Sequence, residues 1–209
     1  MPRVEQMEVA CENKRTRLVY EFIKRAYDII LCTIASIIAI PIILITCCFV
    51  VLESKGNPIY AQERLGKDKK PFKLYKIRSM SIDAEKNGPQ WADKNDFRVK
   101  KVGRFIRKTR IDELPQLYNI LKGDMNIVGP RPERKIFTYQ FEEAIPGFIN
   151  RLEIKPGLTG LAQVNGGYEI TPAEKLEWDL MYIKERNLLN DAKIIFKTVG
   201  VVVTGHGAR

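Results

Sequence analysis

The feature that most constrains this chain is a stretch of 24 residues, Ile29 to Leu52, that contains no Asp, Glu, Lys, Arg or His. As a helix it would be about 36 Å long, whereas the hydrocarbon core of a bilayer is about 30 Å thick. The stretch is too long for the apolar part of a cleaved signal peptide, and no small-residue cleavage site follows it. The chain is therefore predicted to carry a membrane helix near its N-terminus.

Pro41 lies in the middle of this stretch and is expected to bend the helix. Proline removes one backbone hydrogen bond, and the carbonyl that it frees, on Ile37, still needs a partner in lipid. Basic residues flank both ends of the stretch, and the more basic flank of a membrane helix stays in the cytosol. A re-entrant helix that breaks near Pro41 and returns to the same face satisfies both flanks. A straight span with a tolerated proline is the alternative, and the sequence alone does not separate the two.

The net charge of +10 is concentrated directly after the apolar stretch. Residues 53–110 hold 17 Lys plus Arg against 7 Asp plus Glu, whereas residues 111–209 hold 12 against 13. A basic region beside a membrane segment attracts anionic lipid head groups or a phosphorylated substrate. Nucleic acid ranks last as a partner, because no nucleic-acid motif accompanies the charge.

Cysteine and histidine usage excludes several classes of site. The four cysteines, Cys11, Cys32, Cys47 and Cys48, lack the spacing of a zinc site or a disulfide framework, so reduced thiols are expected. His206 is the only histidine, which nearly excludes His triads and His metal clusters. Any catalysis must therefore use carboxylates, Lys or Arg.

The chain is predicted to divide into an N-terminal arm (1–23), a membrane helix (24–54) and a cytosol-facing domain (55–209) that carries any chemistry. Short strands are expected from Pro58 to Gln62 and from Phe72 to Ile77. The fold class is mainly α with a few short strands (α+β).

Two later segments repeat apolar residues with the period of a helix. They are Ile145, Phe148, Ile149 and Leu152, followed by Ala192, Ile195, Phe196 and Val199. Packing in a core is the ordinary explanation for such faces. The alternative is an amphipathic helix that lies in the membrane interface, and the aromatic residues near Pro146 favour it for the first segment.

The segment from Thr109 to Leu121 reads T-R-I-D-E-L-P-Q-L-Y-N-I-L and is predicted to form a helix with one apolar face. Asp112, Glu113 and Pro115 lie at its start, where helix capping alone would explain an Asp and a Pro. Basic residues directly upstream change this interpretation; they are Arg104, Arg107, Lys108 and Arg110. Together the carboxylates and the cations indicate a site for a phosphorylated ligand.

Downstream, residues 123–133 read G-D-M-N-I-V-G-P-R-P-E, and Arg131 is held between two prolines. The prolines restrict the backbone and lower the entropy cost of presenting the guanidinium, which binds phosphate oxygens well. Two adjacent carboxylates near such groups suit Mg²⁺ with a diphosphate. A carboxylate can also attack phosphorus and form an acyl phosphate.

These pieces, in this order, make the chain resemble the bacterial sugar transferases, also called monotopic phosphoglycosyl transferases. The resemblance covers nearly everything from Lys24 to Thr204. It is carried by K-R-A-Y-D at 24–28, N-P-I-Y-A-Q-E-R-L-G at 57–66, F-K-L-Y-K-I-R-S-M at 72–80, V-G-R-F-I-R-K-T-R-I-D-E-L-P-Q at 102–116, the 123–133 segment, K-P-G-L-T-G-L-A-Q-V-N-G at 155–166 and D-L-M-Y-I at 179–183.

The resemblance implies a phosphoglycosyl transferase of the bacterial inner membrane, with its catalytic domain on the cytoplasmic face. In this family the Asp of the Asp-Glu pair attacks the β-phosphate of a UDP-sugar, UMP leaves, and undecaprenyl phosphate takes the phosphosugar from the enzyme with the help of Mg²⁺. Asp112 would then be the nucleophile and a metal contact, and Glu113 its partner at the metal or substrate. The candidates for phosphate contacts are Lys76, Arg78, Arg110 and Arg131.

One position departs from the family pattern. Small members place Ser directly before the proline of the membrane helix, whereas Ile40 precedes Pro41 here and the nearest serine is Ser36. The hydrogen bond that supports the bend must therefore differ.

Two other functions stay open at this point. The chain could be a non-enzymatic, membrane-tethered basic module that binds lipids or a partner. It could also be a phosphatase that acts on polyprenyl diphosphates. The sugar and the glycan pathway are not readable from the residues, and the oligomeric state is open, a homodimer included.

Overall fold

The computed structural model describes residues 2–86, 88, 96–166 and 170–204, with side chains described between residues 17 and 202. In this part of the chain the helices are α1 (Pro2–Glu53), α2 (Lys101–Lys108), α3 (Gln116–Lys122), α4 (Lys135–Ala144), α5 (Leu161–Gly166), α6 (Pro172–Glu185) and α7 (Leu188–Thr204). The strands are β1 (Ile59–Leu65), β2 (Pro71–Ile77), β3 (Asn126–Val128) and β4 (Gly157–Thr159). The predicted class, mainly helical with a few short strands, is confirmed.

The helix α1 contains the whole apolar stretch and has Pro41 inside it. Its portion Arg17–Glu53 is long and apolar enough to cross a membrane, by length and composition. Large apolar side chains along it are exposed, for example Ile37 (72%) and Leu52 (82%). A helix that exposes apolar residues on most sides is suited to lipid, so membrane association is compatible with α1.

The hydroxyl of Ser36 donates a hydrogen bond to the carbonyl of Cys32 at 2.7 Å. This serine therefore bonds within its own turn and does not pair with the carbonyl of Ile37, which Pro41 leaves without its usual donor.

The N-terminal end of the apolar stretch is anchored to the rest of the chain by two basic side chains. The buried ammonium of Lys24 donates to the carboxylate of Asp191 in α7 at 2.6 Å. Arg25 donates to the carbonyls of Ile120 and Leu121, at 2.5 and 2.8 Å. These carbonyls belong to the last turn of α3, where a cation is favourable.

The C-terminal end of α1 contacts the same domain. The carboxylate of Glu53 accepts from the backbone N–H groups of Lys101 and Val102, at 2.8 and 3.2 Å, and so caps the first turn of α2. Arg78, just after β2, donates to the carbonyl of Ser54 at 2.6 Å. Both ends of the apolar stretch are thus fixed to one domain.

The strands form two small sheets. β1 and β2 pair antiparallel, from Ile59 opposite Ile77 to Leu65 opposite Pro71, and β3 pairs with β4 in parallel. The two strands predicted from the sequence are confirmed; β1 begins one residue later and ends three residues later than predicted, and β2 begins one residue earlier.

Residues from distant parts of the chain form the buried core. One cluster joins Cys32 to Leu74, Ile120 and Met125, a second joins Val50 to Ile77 and Ile106, and a third contains Val128, Ile154, Tyr182 and Ile194. The first two include side chains of α1, so this helix is part of the packed domain as well as an apolar surface. Cys32, Cys47 and Cys48 are free thiols, whereas the side chain of Cys11 lies outside the described residues.

The apolar pattern at residues 145–152 predicted an α-helix, and this prediction is wrong. α4 ends at Ala144, Gly147 adopts a left-handed φ of 93°, and a 3-10 turn follows from Phe148 to Glu153. Phe148 is fully buried and Leu152 nearly so, hence this segment packs in the core. The second pattern is confirmed as helix α7.

The buried ion pair between Lys24 and Asp191 is expected to be important for stability. Asp191→Ala leaves a buried ammonium without its counter-charge and should lower the free energy of unfolding by about 3–5 kcal/mol. The control is Asp83→Ala, which breaks an exposed pair with Lys86. Denaturant unfolding in detergent, followed by circular dichroism, measures both variants. Equal shifts of the two midpoints would contradict the expectation.

Candidate active site

The Asp112–Glu113 pair lies on a tight connection between two helices. α2 ends at Lys108, Arg110 takes a left-handed conformation with φ 57°, and a 3-10 turn covers Ile111 to Glu113 before α3 begins. A left-handed non-glycine residue is uncommon and often marks a functional site. The sequence predicted one helix with the two carboxylates at its start; the structure places them on the turn that precedes it.

The two carboxylates face a cavity of about 640 Å³. Its walls come from β1, β2 and the segment after β2, from residues 131–134, and from α5 and α6. All six candidate residues from the sequence line it; they are Lys76, Arg78, Arg110, Asp112, Glu113 and Arg131. Residues that are far apart in the chain thus meet at one cavity.

Glu113 is the acceptor for two cations. The ammonium of Lys76 lies 2.8 Å from its Oε1, and the guanidinium of Arg131 donates to both of its carboxylate oxygens. Burial works to raise the pKa of Glu113, but the charges of Arg131 and Lys76 outweigh it and hold that pKa well below its usual value. The same carboxylate raises the pKa of the Arg131 guanidinium. Glu113 is therefore ionised throughout the physiological range.

Asp112 has a different environment, although it is the adjacent residue. It is 7% exposed, and its ion pair within the described part of the chain is with Lys76 at 4.0 Å. Burial is the main cause that raises the pKa of Asp112 to about 6, the charge of Glu113 adds to it, and Lys76, Arg107 and Arg131 oppose it. The structure thus provides a buried carboxylate that is only loosely paired.

Arg78 and Arg110 both reach the cavity, but the partners of Arg78 are structural. Its guanidinium donates to the carbonyls of Ser54 and Lys55, at 2.6 and 3.1 Å. Its role as a phosphate contact stays a prediction, as does that of Arg110.

Arg107, one of the basic residues upstream of Asp112 in the sequence, also lines the cavity, although it was not among the four candidates for phosphate contacts. It donates to the hydroxyl of Ser79 at 2.8 Å, and its charge lowers the pKa of Asp112. The sequence contains a signal for this position, because Gly103 and Arg107 are four residues apart and so lie on one face of a helix. Gly103 is one turn earlier on the same helix face, where a β-carbon would come within 1.9 Å of the Ser79 carbonyl oxygen. That close approach brings Arg107 to the cavity.

A second group of charges lines the cavity beside the six candidate residues. Glu133 pairs with Lys175 of α6 at 2.8 Å and with Arg64 of β1 at 3.7 Å. Deeper in α6, Asp179 pairs with Arg151 at 2.6 Å. The sequence motif contained Glu133, two residues after Arg131, but nothing in its local pattern indicated which partners it would have.

The donor set fits Mg²⁺ held mainly by the substrate. Within the described residues, no group of three or more His, Cys, Asp or Glu side chains could hold a metal ion. The carboxylate of Glu113 is occupied by Lys76 and Arg131, so Asp112 is the carboxylate that could accept a metal. Magnesium prefers one or two carboxylates together with substrate phosphates, and Asp112 with a diphosphate meets that requirement.

We expect Asp112 to titrate near pH 6 in the metal-free protein. Carbon-13 NMR of protein labelled at the aspartate carboxyl, in detergent, measures this pKa, and the spectrum of Asp112→Asn identifies its signal. Glu113→Gln should lower the pKa of Asp112, because it removes a neighbouring negative charge while Lys76 and Arg131 stay positive. Titration of Asp112 at or below its ordinary value of about 3.9 in the unmodified protein would contradict this environment.

Curated relatives carry names that describe one type of reaction. A UDP-N-acetylgalactosamine-undecaprenyl-phosphate N-acetylgalactosaminephosphotransferase of Aeromonas hydrophila is 45% identical over 194 residues, which is 91% of this chain and 46% of that protein. A UDP-glucose:undecaprenyl-phosphate glucose-1-phosphate transferase of Klebsiella pneumoniae is 43% identical over 181 residues, 84% of this chain and 39% of its own length. An undecaprenyl-phosphate galactose phosphotransferase of Salmonella typhimurium is 38% identical over 219 residues, 98% and 45% of the two chains.

The chain thus spans less than half the length of these three relatives. The part that it does cover corresponds to one protein family. The sequence signature of the bacterial sugar transferases matches residues 19–205, which include the apolar helix and every residue of the cavity described above. The chain belongs to the bacterial sugar transferase family.

Proposed function

We propose that this chain is a phosphoglycosyl transferase that moves a sugar-1-phosphate from a UDP-sugar to undecaprenyl phosphate and releases UMP. The names of its relatives, which describe transfers to undecaprenyl phosphate, support this reaction. The observation that carries the proposal is the environment of Asp112, a buried carboxylate with a raised pKa in a cavity lined by cations.

The reaction would proceed in two displacements at the same phosphorus atom. A carboxylate oxygen of Asp112 attacks the β-phosphorus of the UDP-sugar, the bond from that phosphorus to the bridging oxygen breaks, and UMP leaves with the electron pair. An oxygen of undecaprenyl phosphate then attacks the phosphosugar on Asp112. The carboxylate leaves, and undecaprenyl diphosphosugar is released.

The cations around Asp112 have distinct roles in this proposal. Arg131 and Lys76 are held by Glu113, so their positions are fixed before the substrate arrives, and they offset charge on the transferring phosphoryl group. Arg107 lies close enough to influence Asp112 and is a further phosphate contact. A bound Mg²⁺, held by Asp112 and the diphosphate, would neutralise negative charge on the phosphates.

Asp112→Asn is expected to lower UMP release at least about a thousandfold, because the amide cannot form the acyl phosphate. The assay uses purified protein, Mg²⁺, undecaprenyl phosphate and a panel of UDP-sugars. Asp124→Asn is the matched control, since Asp124 lies outside the cavity and should keep activity. Mass spectrometry of the unmodified protein incubated with donor alone should detect a phosphosugar adduct on Asp112.

Other outcomes of this assay would favour the other functions. Normal turnover by Asp112→Asn would exclude Asp112 as the nucleophile. An unmodified protein without any turnover would indicate a membrane-tethered binding module. Release of inorganic phosphate instead of UMP would indicate a phosphatase.

We further propose that α1 is re-entrant in the inner membrane and that the domain lies on the cytoplasmic face. Lys24 near one end of the apolar stretch and Glu53 at the other contact the same domain, which supports placing both ends on one side. The basic flanks favour the cytoplasmic side. On α7, exposed apolar side chains such as Phe196 (78%) and Val199 (57%) would lie in the interface.

Cysteine labelling tests this topology. Leu18 and Lys55 lie at the two ends of the apolar region, and single cysteines at these positions, in a cysteine-free background, should both react from the cytoplasmic side of spheroplast-derived vesicles. The labelling reagent must be membrane-impermeant and the vesicles must be inside-out, so that their cytoplasmic face is turned outward. Intact spheroplasts expose the opposite face, where neither position should react. Reaction of the two positions from opposite sides would exclude the re-entrant helix and indicate a straight span.

A further inference from the structure

The lining of the cavity contains two groups of charged residues. One group, at the 3-10 turn, has Asp112 and Glu113 among an excess of cations. The other region of the lining is formed by Glu133, Gln163 of α5, and Lys175 and Asp179 of α6. We refer to these four residues as the α6 end.

At the α6 end the charges are paired with one another. Lys175 lies 2.8 Å from Glu133, and Asp179 is held by the buried Arg151 at 2.6 Å. Coulombic attraction to Lys175, Arg151 and Arg64 lowers the pKa of Glu133 although burial opposes it, so this carboxylate stays ionised. Such a surface offers hydrogen-bond donors and acceptors side by side without the excess positive charge that binds a phosphate.

Gln163 adds an uncharged group to this end. Its Nε2 donates to the carbonyl of Leu158 at 3.1 Å, whereas its Oε1 is buried and has no partner among the described residues. A buried acceptor without a donor is unfavourable, and a ligand hydroxyl could supply the missing donor.

The backbone relates the two groups. Arg131 binds Glu113 at the catalytic pair, and Glu133, two residues later, binds Lys175 at the α6 end. The α-carbons of two residues that are two positions apart lie at most about 7 Å from each other, so the two groups are neighbours in the lining of the cavity. Arg151 fixes the arrangement, because it pairs with Asp179 and also donates to the carbonyl of Arg131 at 3.0 Å.

We infer that the α6 end binds the sugar ring of the donor, and that Gln163 and Lys175 determine which UDP-sugar is used. This inference rests on the proposed transferase function and adds to it the location of the sugar. Pyranose hydroxyls both donate and accept hydrogen bonds, so they match a surface of paired charges and an amide. Sites that bind a hydroxyl in this way discriminate against sugars in which that hydroxyl is missing or points elsewhere.

The test compares donors that differ in the orientation of a single hydroxyl. UDP-galactose is paired with UDP-glucose, and UDP-N-acetylgalactosamine with UDP-N-acetylglucosamine, in the UMP-release assay on the full chain in detergent. The variants are Gln163→Leu and Lys175→Met. The matched controls are Gln140→Leu on α4 and Lys184→Met on α6, both exposed and outside the cavity.

Two quantities are measured for each variant: the ratio of kcat/KM within a donor pair, and the inhibition constant of UMP. UMP lacks the sugar, so its inhibition constant reports the nucleotide part of the site and also shows that the variant is folded. We expect the ratio to change at least about tenfold for Gln163→Leu or Lys175→Met, with the UMP constant within about twofold of the unmodified protein. Neither control should change the ratio.

A smaller change in the ratio for both variants would overturn the assignment of the sugar to the α6 end. A UMP constant that shifts as far as the ratio would also overturn it, because these residues would then contact the nucleotide. The failure of the transferase proposal looks different: the unmodified protein would release no UMP from any of the four donors.

Discussion

The site depends on the way in which Glu113 binds Lys76 and Arg131 at the same time. Both cations have a close carboxylate partner, and that partner is not Asp112. Had either cation formed a short ion pair with Asp112, the pKa of that carboxyl would be low and its oxygens would be occupied. Because Glu113 takes the cations, Asp112 stays buried, loosely paired and basic for a carboxylate, while the positive charge remains within reach. The pKa values of the adjacent Asp112 and Glu113 are thus shifted in opposite directions.

The apolar helix α1 and the site are parts of one packed unit. Lys76 of β2 binds Glu113 of the Asp112–Glu113 pair. Arg78, two residues further, donates to the carbonyl of Ser54 directly after the end of α1. At the other end, Arg25 of α1 caps α3, the helix that directly follows the two carboxylates. β2 and α3, the two elements beside the Asp112–Glu113 pair, are therefore both held to α1. This gives the carboxylates a fixed distance from the apolar surface, which the proposed reaction between a dissolved donor and a lipid-bound phosphate would require.

Local chemistry could be predicted from the sequence, whereas pairing over long distances could not. The Asp-Glu pair, the proline-flanked Arg131, the two strands and α7 follow from motifs or periodicity within a few residues. Lys76 was recognised as a candidate, but its partner Glu113 lies 37 residues away, and Lys175 is separated from Glu133 by 42. Such pairs depend on packing. The segment near Phe148 repeats apolar residues at helical spacing but forms a buried 3-10 turn. The sequence pattern does not distinguish this turn from an α-helix, whereas the left-handed backbone at Gly147 does.

The pKa of Asp112 has a consequence for the proposed two-step route. A carboxylate that first attacks phosphorus and later leaves it should resemble the groups that it replaces. The second ionisation of a phosphate monoester has a pKa of about 6, and both UMP and a polyprenyl phosphate are such monoesters. An ordinary aspartate would be a much better leaving group than either, so its acyl phosphate would form uphill. Burial raises the pKa of Asp112 to about 6, close to the pKa of both phosphates, and would so bring the two proposed transfers nearer to equal free energy. In the proposed route, burial beside Glu113 would thus favour the formation of the intermediate as well as its breakdown.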